Sequence, residues 1–178
     1  MMRLELPHPR YEASFRSALA QYDADTDDTS AHYRRIDPEQ LDFEAYVHER
    51  LDEMHTPSGP GRVTATEFWI IDEDGYAGRI SLRHELNEHL SRYGGHIGYD
   101  VVPDRRRRGY ATEALRLCLA HAHAMGLTRV LLTCSDDNRG SQKVIENNGG
   151  VLEETDTTYT PPLRRYWIEL EPSELRCR

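Results

Sequence analysis

Val101-Val102-Pro103-Asp104-Arg105-Arg106-Arg107-Arg108-Gly109-Tyr110-Ala111-Thr112 leads from a β-branched run through a proline and four consecutive arginines into a stretch of small residues. Beyond it, Ala111, Leu115, Cys118, Ala122 and Met125 recur at spacings of four, three, four and three, and Gly126 stands where a helix would end. The segment therefore reads as a strand, a basic loop and a helix start. Such a junction suits an anion, because the first backbone N–H groups of a helix lack internal partners and its dipole places roughly half a positive charge there. The small residues Gly109 and Ala111 would let a diphosphate approach those donors closely. The loop lacks both the Gly-Lys-Ser/Thr of a Walker loop and the GxGxxG of a dinucleotide fold, which disfavours an NTPase or a dehydrogenase.

On the N-terminal side, 66–71 holds Phe68, Trp69, Ile70 and Ile71 and predicts a largely buried strand. Asp74-Gly75 is a turn signal, and 78–83 reads as the second strand of a hairpin. A polar excursion, 84–95, precedes the strand expected over 96–102. On the C-terminal side, Val130-Leu131-Leu132 reads as a strand covered on both faces, and Asp136-Asp137-Asn138 offers caps for a helix to about Asn148. Gly149-Gly150 stops that helix, and Tyr166, Ile168 and Leu170 alternate with Arg165, Trp167 and Glu169 in a final strand. Before the hairpin, a short strand at Arg3 to Leu6 is followed by a helix carrying Tyr11, Phe15, Ala18 and Tyr22. The acidic stretch 23–28 reads as a solvated loop, and Asp37-Pro38-Glu39 as the cap of a second helix through about Met54. Four Pro or Gly residues within 56–61 stop that helix. The fold class expected is α/β (α+β): a mixed, mostly antiparallel central sheet flanked by helices.

At 178 residues, 38% hydrophobic and 30% charged, the chain predicts one domain over 1–178, divided into a helical portion, 1–60, and a core, 66–170. A net charge of -9 argues against nucleic acid or an anionic membrane as partner. No apolar run approaches the roughly 20 residues of a membrane span, and Met1 to Arg10 lacks a signal peptide's apolar stretch. Cys118, Cys134 and Cys177 form neither a disulfide framework nor a zinc site. A reduced, cytoplasmic protein without a metal is the expectation. Trp69 and Trp167 read as core or subunit contacts, which leaves a homodimer open.

Arg106-x-x-Gly109-x-Ala111 fits Gln/Arg-x-x-Gly-x-Gly/Ala, and the order of hairpin, strand, long helix and Asn138 segment accompanies it. In this the chain resembles the GNAT superfamily of acetyl-CoA-dependent N-acetyltransferases over roughly 66–170. Arg83-His84-Glu85-Leu86-Asn87 and Gly94-Gly95-His96-Ile97-Gly98-Tyr99 look like a bacterial group of predicted acetyltransferases within it. The resemblance implies a splay between the strand at Val101 and that at 130–133, with the backbone of Tyr99, Asp100 and Val101 beside the pantetheine arm of acetyl-CoA. It implies that amides from Arg107, Arg108, Gly109, Tyr110, Ala111 and Thr112 hold the pyrophosphate, with arginine side chains, Arg106 included, as secondary contacts. Asn138 corresponds to an asparagine near the pantetheine, and Ser141 lies one turn later on the same face. An N-cap is an equal reading of Asn138.

Acetyl transfer needs a deprotonated amine, a polarised carbonyl and a proton for the departing thiolate. In many relatives a tyrosine two turns beyond the asparagine supplies that proton; here the position is Ile145, so Ser141, Tyr159, a water or no dedicated acid takes the role. His96, His84, Glu85 and Asp100 are the candidates for a base, with His96 foremost. Glu67 reads as a strand-edge charge, Cys134 as a small buried residue, and His121 and His123 as solvated helix residues on different faces. The function implied is direct acetyl transfer in a ternary complex to a primary amine on a small molecule or protein. The Ile145 departure sustains an alternative, a catalytically inactive acyl-CoA-binding regulatory module.

Overall fold

The structure is a computed structural model that describes residues 1–25 and 36–170. Two antiparallel sheets stand side by side. The first has four strands in the order β1 (Arg3–Glu5), β2 (Ala65–Asp72), β3 (Gly75–Arg83) and β4 (Ile97–Val101). The second runs β5 (Arg129–Ser135), β7 (Leu163–Glu169) and β6 (Val151–Asp156). The helices are α1 (Glu12–Ala24), α2 (Phe43–Asp52), α3 (Glu88–Arg92), α4 (Tyr110–Ala124) and α5 (Arg139–Asn147).

The continuous apolar run of β2 serves two cores, because successive strand side chains point to opposite faces. Phe68 and Ile70 join Ala114, Leu115, Cys118 and Ala122 of α4 on one face. Trp69 and Ile71 join Phe15 and Tyr22 of α1 and Phe43 and Val47 of α2 on the other. Val130, Leu131 and Leu132 of β5 are all but fully buried, as their unbroken hydrophobicity predicts.

Three elements differ from the sequence reading. The second helix starts at Phe43, capped by Asp42, whose carboxylate accepts the Ala45 N–H at 3.0 Å. Asp37-Pro38-Glu39 instead makes a turn in which the Asp37 side chain accepts the Glu39 N–H at 2.9 Å. Aspartate stabilises a turn and a helix start by the same local bond, so the two look alike in sequence. Within the excursion 84–95, Asn87 caps the short α3 by accepting the Leu90 N–H at 2.8 Å. Strand β6 had no sequence signal because it is an exposed edge held by backbone pairing to β7 and shows no alternation between buried and exposed positions. Of the acidic stretch, residues 23 and 24 belong to α1, whereas residues 26–28, like Cys177, lie outside the described residues.

Candidate functional site

The sheets meet through a single isolated bridge among the described residues, Gly95 with Leu132. A Cβ on Gly95 would stand 2.2 Å from the Leu131 carbonyl oxygen, and its φ of +62° is the left-handed region, so glycine alone permits this approach. Around it, His96 donates its N–H to Leu131 O at 2.7 Å, and the Leu131 N–H donates to His96 Nδ1 at 2.9 Å. The Gly94 N–H donates to Thr133 Oγ1 at 2.9 Å, and the Arg83 guanidinium donates to the carbonyls of Gly94 and Gly95 at 3.2 and 2.9 Å. From this apex, among the described residues, β4 pairs only with β3, and β5 only with β7, so the strands form a wedge. The Arg83 N–H bonds His96 O, and the Val102 N–H bonds Ala77 O. Antiparallel alternation therefore directs the backbone groups of Gly98 and Asp100 to β3, and those of Ile97, Tyr99 and Val101 into the wedge. Val101 O is taken by Arg106 Nε at 3.1 Å.

The turn into α4 begins at the wedge's open end. Arg107 has φ +61° and Gly109 φ +82°, both left-handed. The first helical bond runs from the Glu113 N–H to Gly109 O, and among the described residues the amides of Arg107, Arg108, Gly109, Tyr110, Ala111 and Thr112 have no acceptor. A Cβ built on Gly109 would meet nothing within 4 Å. Alternating backbone hands and an uncapped helix start thus make an open concave row of N–H donors.

The four arginines divide the work. Arg105 is tied inward to Asp72 at 3.0 Å, Asp74 at 2.8 Å and Asp104 at 2.9 Å, and Arg106 to Asp25 at 2.7 Å. Arg107 and Arg108 project into solvent beside the donors. The Tyr110 hydroxyl also donates to Asp72 at 3.0 Å. Burial opposes ionisation of Asp72, but the Asp74 amide, Tyr110 and Arg105 outweigh it and hold its carboxyl below the usual range.

Across the wedge, Asn138 caps α5, its side-chain oxygen accepting the Ser141 N–H at 2.9 Å. That cap leaves the Ser141 hydroxyl facing β4, where it lies 2.8 Å from the Tyr99 hydroxyl. The Cys134 thiol on β5 is pushed up to about 11, chiefly by burial. Ile145 is fully buried in the core beneath α4.

On the opposite face of the first sheet, Arg79 bridges two buried carboxylates, Glu67 at 3.1 Å and Asp100 at 3.0 Å. Tyr22 donates to Asp100 at 2.9 Å, and Trp69 Nε1 to Glu67 at 3.0 Å. Burial pushes the Asp100 carboxyl up against the pull of Arg79 and Tyr22. Glu67 is thus no strand-edge charge: β2 is an interior strand, and this carboxylate is 3% exposed. The sequence carried no sign of this network, because Glu67, Arg79 and Asp100 become neighbours only through strand register.

His84 Nε2 bonds Thr66 Oγ1 at 2.9 Å, and burial lowers its pKa, leaving it neutral at pH 7. His96 differs. With Nδ1 accepting from Leu131, the neutral ring carries its proton on Nε2, and burial first, then Arg83, pushes the pKa down to about 4. It is a structural acceptor rather than a base at neutral pH. Because the unfolded state takes up the proton near 6.5 and the folded state only near 4, His96 adds stability above pH 6.5 that is lost as pH falls towards 4. Its ring resonances are expected to titrate near 4 by NMR, and the melting temperature of His96→Asn to fall less steeply than that of the native chain between these pH values.

Among the described residues no three His, Cys, Asp or Glu side chains group as a metal site, and no helix is long and apolar enough to cross a membrane. No curated protein sequence matches the chain. Solved structures do. The microcin C7 self-immunity acetyltransferase MccE, in complex with acetyl-CoA and AMP, superposes with a TM-score of 0.71 at 16% identity, covering 94% of this chain and 92% of that one. RimL, the ribosomal L7/L12 α-N-protein acetyltransferase in complex with coenzyme A, gives 0.70 at 16% identity over 95% and 94%. YncA, a putative acetyltransferase from Salmonella typhimurium with acetyl-CoA, gives 0.65 at 11% identity over 97% and 96%. At such identities the likeness is one of fold. The family model of the GNAT acetyltransferase domain matches residues 3–151, which contain the wedge, the donor row and α5, and the chain belongs to that family of acyltransferases.

Proposed function

We propose that the chain moves an acetyl group from acetyl-CoA to a primary amine by direct transfer in a ternary complex. One observation carries this reading: the inward-turned backbone of β4 is followed, after one 3-10 turn at Pro103–Arg105, by the open amide row at 107–112. A pantetheine arm is a chain of amides and a pyrophosphate a dianion, so the first suits strand-like pairing with Tyr99 and the second the donors at Arg107 to Thr112. The complexes of MccE and YncA with acetyl-CoA support the same ligand.

In this pose the thioester lies towards the apex. Holding both reactants there supplies the larger share of the rate, on the order of 7–11 kcal/mol. The Ser141 hydroxyl is the proton donor to the leaving sulfur, in place of the tyrosine that Ile145 replaces. His84 takes the amine proton directly or through water, since its second ring nitrogen has no partner among the described residues. Portion 1–60 shapes the acceptor side, and the carboxylates Glu67 and Asp100 beneath it favour a cationic amine.

Native mass spectrometry of the purified chain mixed with CoA should show one equivalent retained. Incubation with acetyl-CoA and a panel of amines should release thiol. Retention without thiol release from any amine would favour the inactive binding module, which the core position of Ile145 supports; absence of retention would overturn both readings.

A further inference from the structure

The Tyr99 hydroxyl emerges from β4 on the wedge side and reaches the first turn of α5. Among the described residues its only partners are Ser141 Oγ at 2.8 Å and the Ser141 carbonyl at 3.4 Å. Either oxygen can supply the hydrogen of the shorter bond; with the tyrosine as donor, Ser141 Oγ is the acceptor. The serine's own hydrogen then points away from the tyrosine and is available to a third group. In that arrangement Ser141 keeps a hydrogen to give, with its oxygen lone pair held by a neutral donor. Nothing in the sequence marked Tyr99 beyond its backbone.

We propose that Tyr99 is a positioning residue for thiolate protonation, orienting the Ser141 hydroxyl so that its hydrogen is delivered to the departing CoA sulfur. The inference rests on the acetyl-transfer reading and specifies its proton path. As the tetrahedral adduct collapses, the C–S bond breaks and its electron pair takes the Ser141 proton, giving the free thiol. The serine oxygen regains a proton from the attacking nitrogen, which loses one as the amide forms. Tyr99 gives up no proton; burial raises its pKa, so it remains a neutral donor throughout. Its hydrogen bond stabilises the charge that builds on Ser141 Oγ in passing.

The test uses the full chain and free CoA, and needs no acceptor. The thiol of protein-bound CoA is titrated through the ultraviolet absorbance of its thiolate, against the protein alone; Cys134, at about 11, stays protonated over the neutral range. A preset donor favours thiolate, so the acid constant of bound CoA should exceed that of free CoA by about tenfold or more. Tyr99→Phe and Ser141→Ala should each bring it back to within about threefold of free CoA, and the double variant should add nothing, as for residues acting in series. Unchanged titration in Tyr99→Phe beside a shifted Ser141→Ala would overturn the role of Tyr99. An unperturbed thiol in the native chain would overturn the whole donor assignment while leaving CoA binding intact; failure to retain CoA would instead remove the acetyl-transfer reading. Should Tyr99→Phe not fold, a ring-fluorinated tyrosine at position 99 keeps the shape and strengthens the donor, and must lower the bound-thiol titration for the proposal to stand.

Discussion

Gly109→Val is expected to weaken CoA binding by at least about 100-fold, read by calorimetry, while the chain still folds. The side chain would enter the open space before the amide row, where nothing lies within 4 Å, and displace a pyrophosphate from two or more charge-assisted hydrogen bonds of about 1.5–3 kcal/mol each. Valine at φ +82° also costs about 1–3 kcal/mol of backbone strain. Gly126→Val separates the two effects, for Gly126 has φ +89° and equally open surroundings, but at the far end of α4. It should lose comparable thermal stability and keep native affinity. Equal CoA binding by both variants would show that the row at 107–112 does not hold the pyrophosphate.

Arg79→Met should destabilise the fold by about 3–5 kcal/mol, because it leaves Glu67 and Asp100 buried without their shared cation. For a chain of this length that corresponds to a fall in melting temperature of roughly 6–20 °C. The loss should depend on pH. Without Arg79 the Asp100 carboxyl, already pushed up by burial, binds its proton more tightly folded than unfolded, so the deficit is fullest at neutral pH and shrinks as pH falls towards the unfolded carboxylate range near 4. Adding Glu67→Gln and Asp100→Asn should restore most of the stability at pH 7, since neutral amides of the same shape need no counterion. Chemical denaturation of the single and triple variants at pH 7 and 5 decides it; a pH-independent loss would mean that packing, not charge, is what Arg79 supplies.

Local chemistry made much of this legible. The turn at Asp74-Gly75, the spacing from Ala111 to Met125 and the unbroken run at Val130 follow rules acting within a few residues, and the corresponding elements stand close to where they were expected. Asn138 takes the local one of its two readings: its side chain caps α5, and by doing so holds Ser141 opposite Tyr99. The misplaced start of α2 and the unheralded β6 are the converse, the first because turns and caps share one bond, the second because an exposed edge needs no apolar pattern.

By itself the sequence determined the strand–turn–helix junction and its small residues, since both arise from backbone geometry encoded within twelve neighbouring positions. Only the tertiary structure decided which polar groups meet. Strand register brought Arg79 between Glu67 and Asp100, the approach at Gly95 spent His96 on holding β5, and the span from β4 to α5 set Tyr99 against Ser141. Those partners lie up to 42 residues apart along the chain, and a hydrogen bond across such a separation is selected by the packing of whole elements rather than by any local pattern.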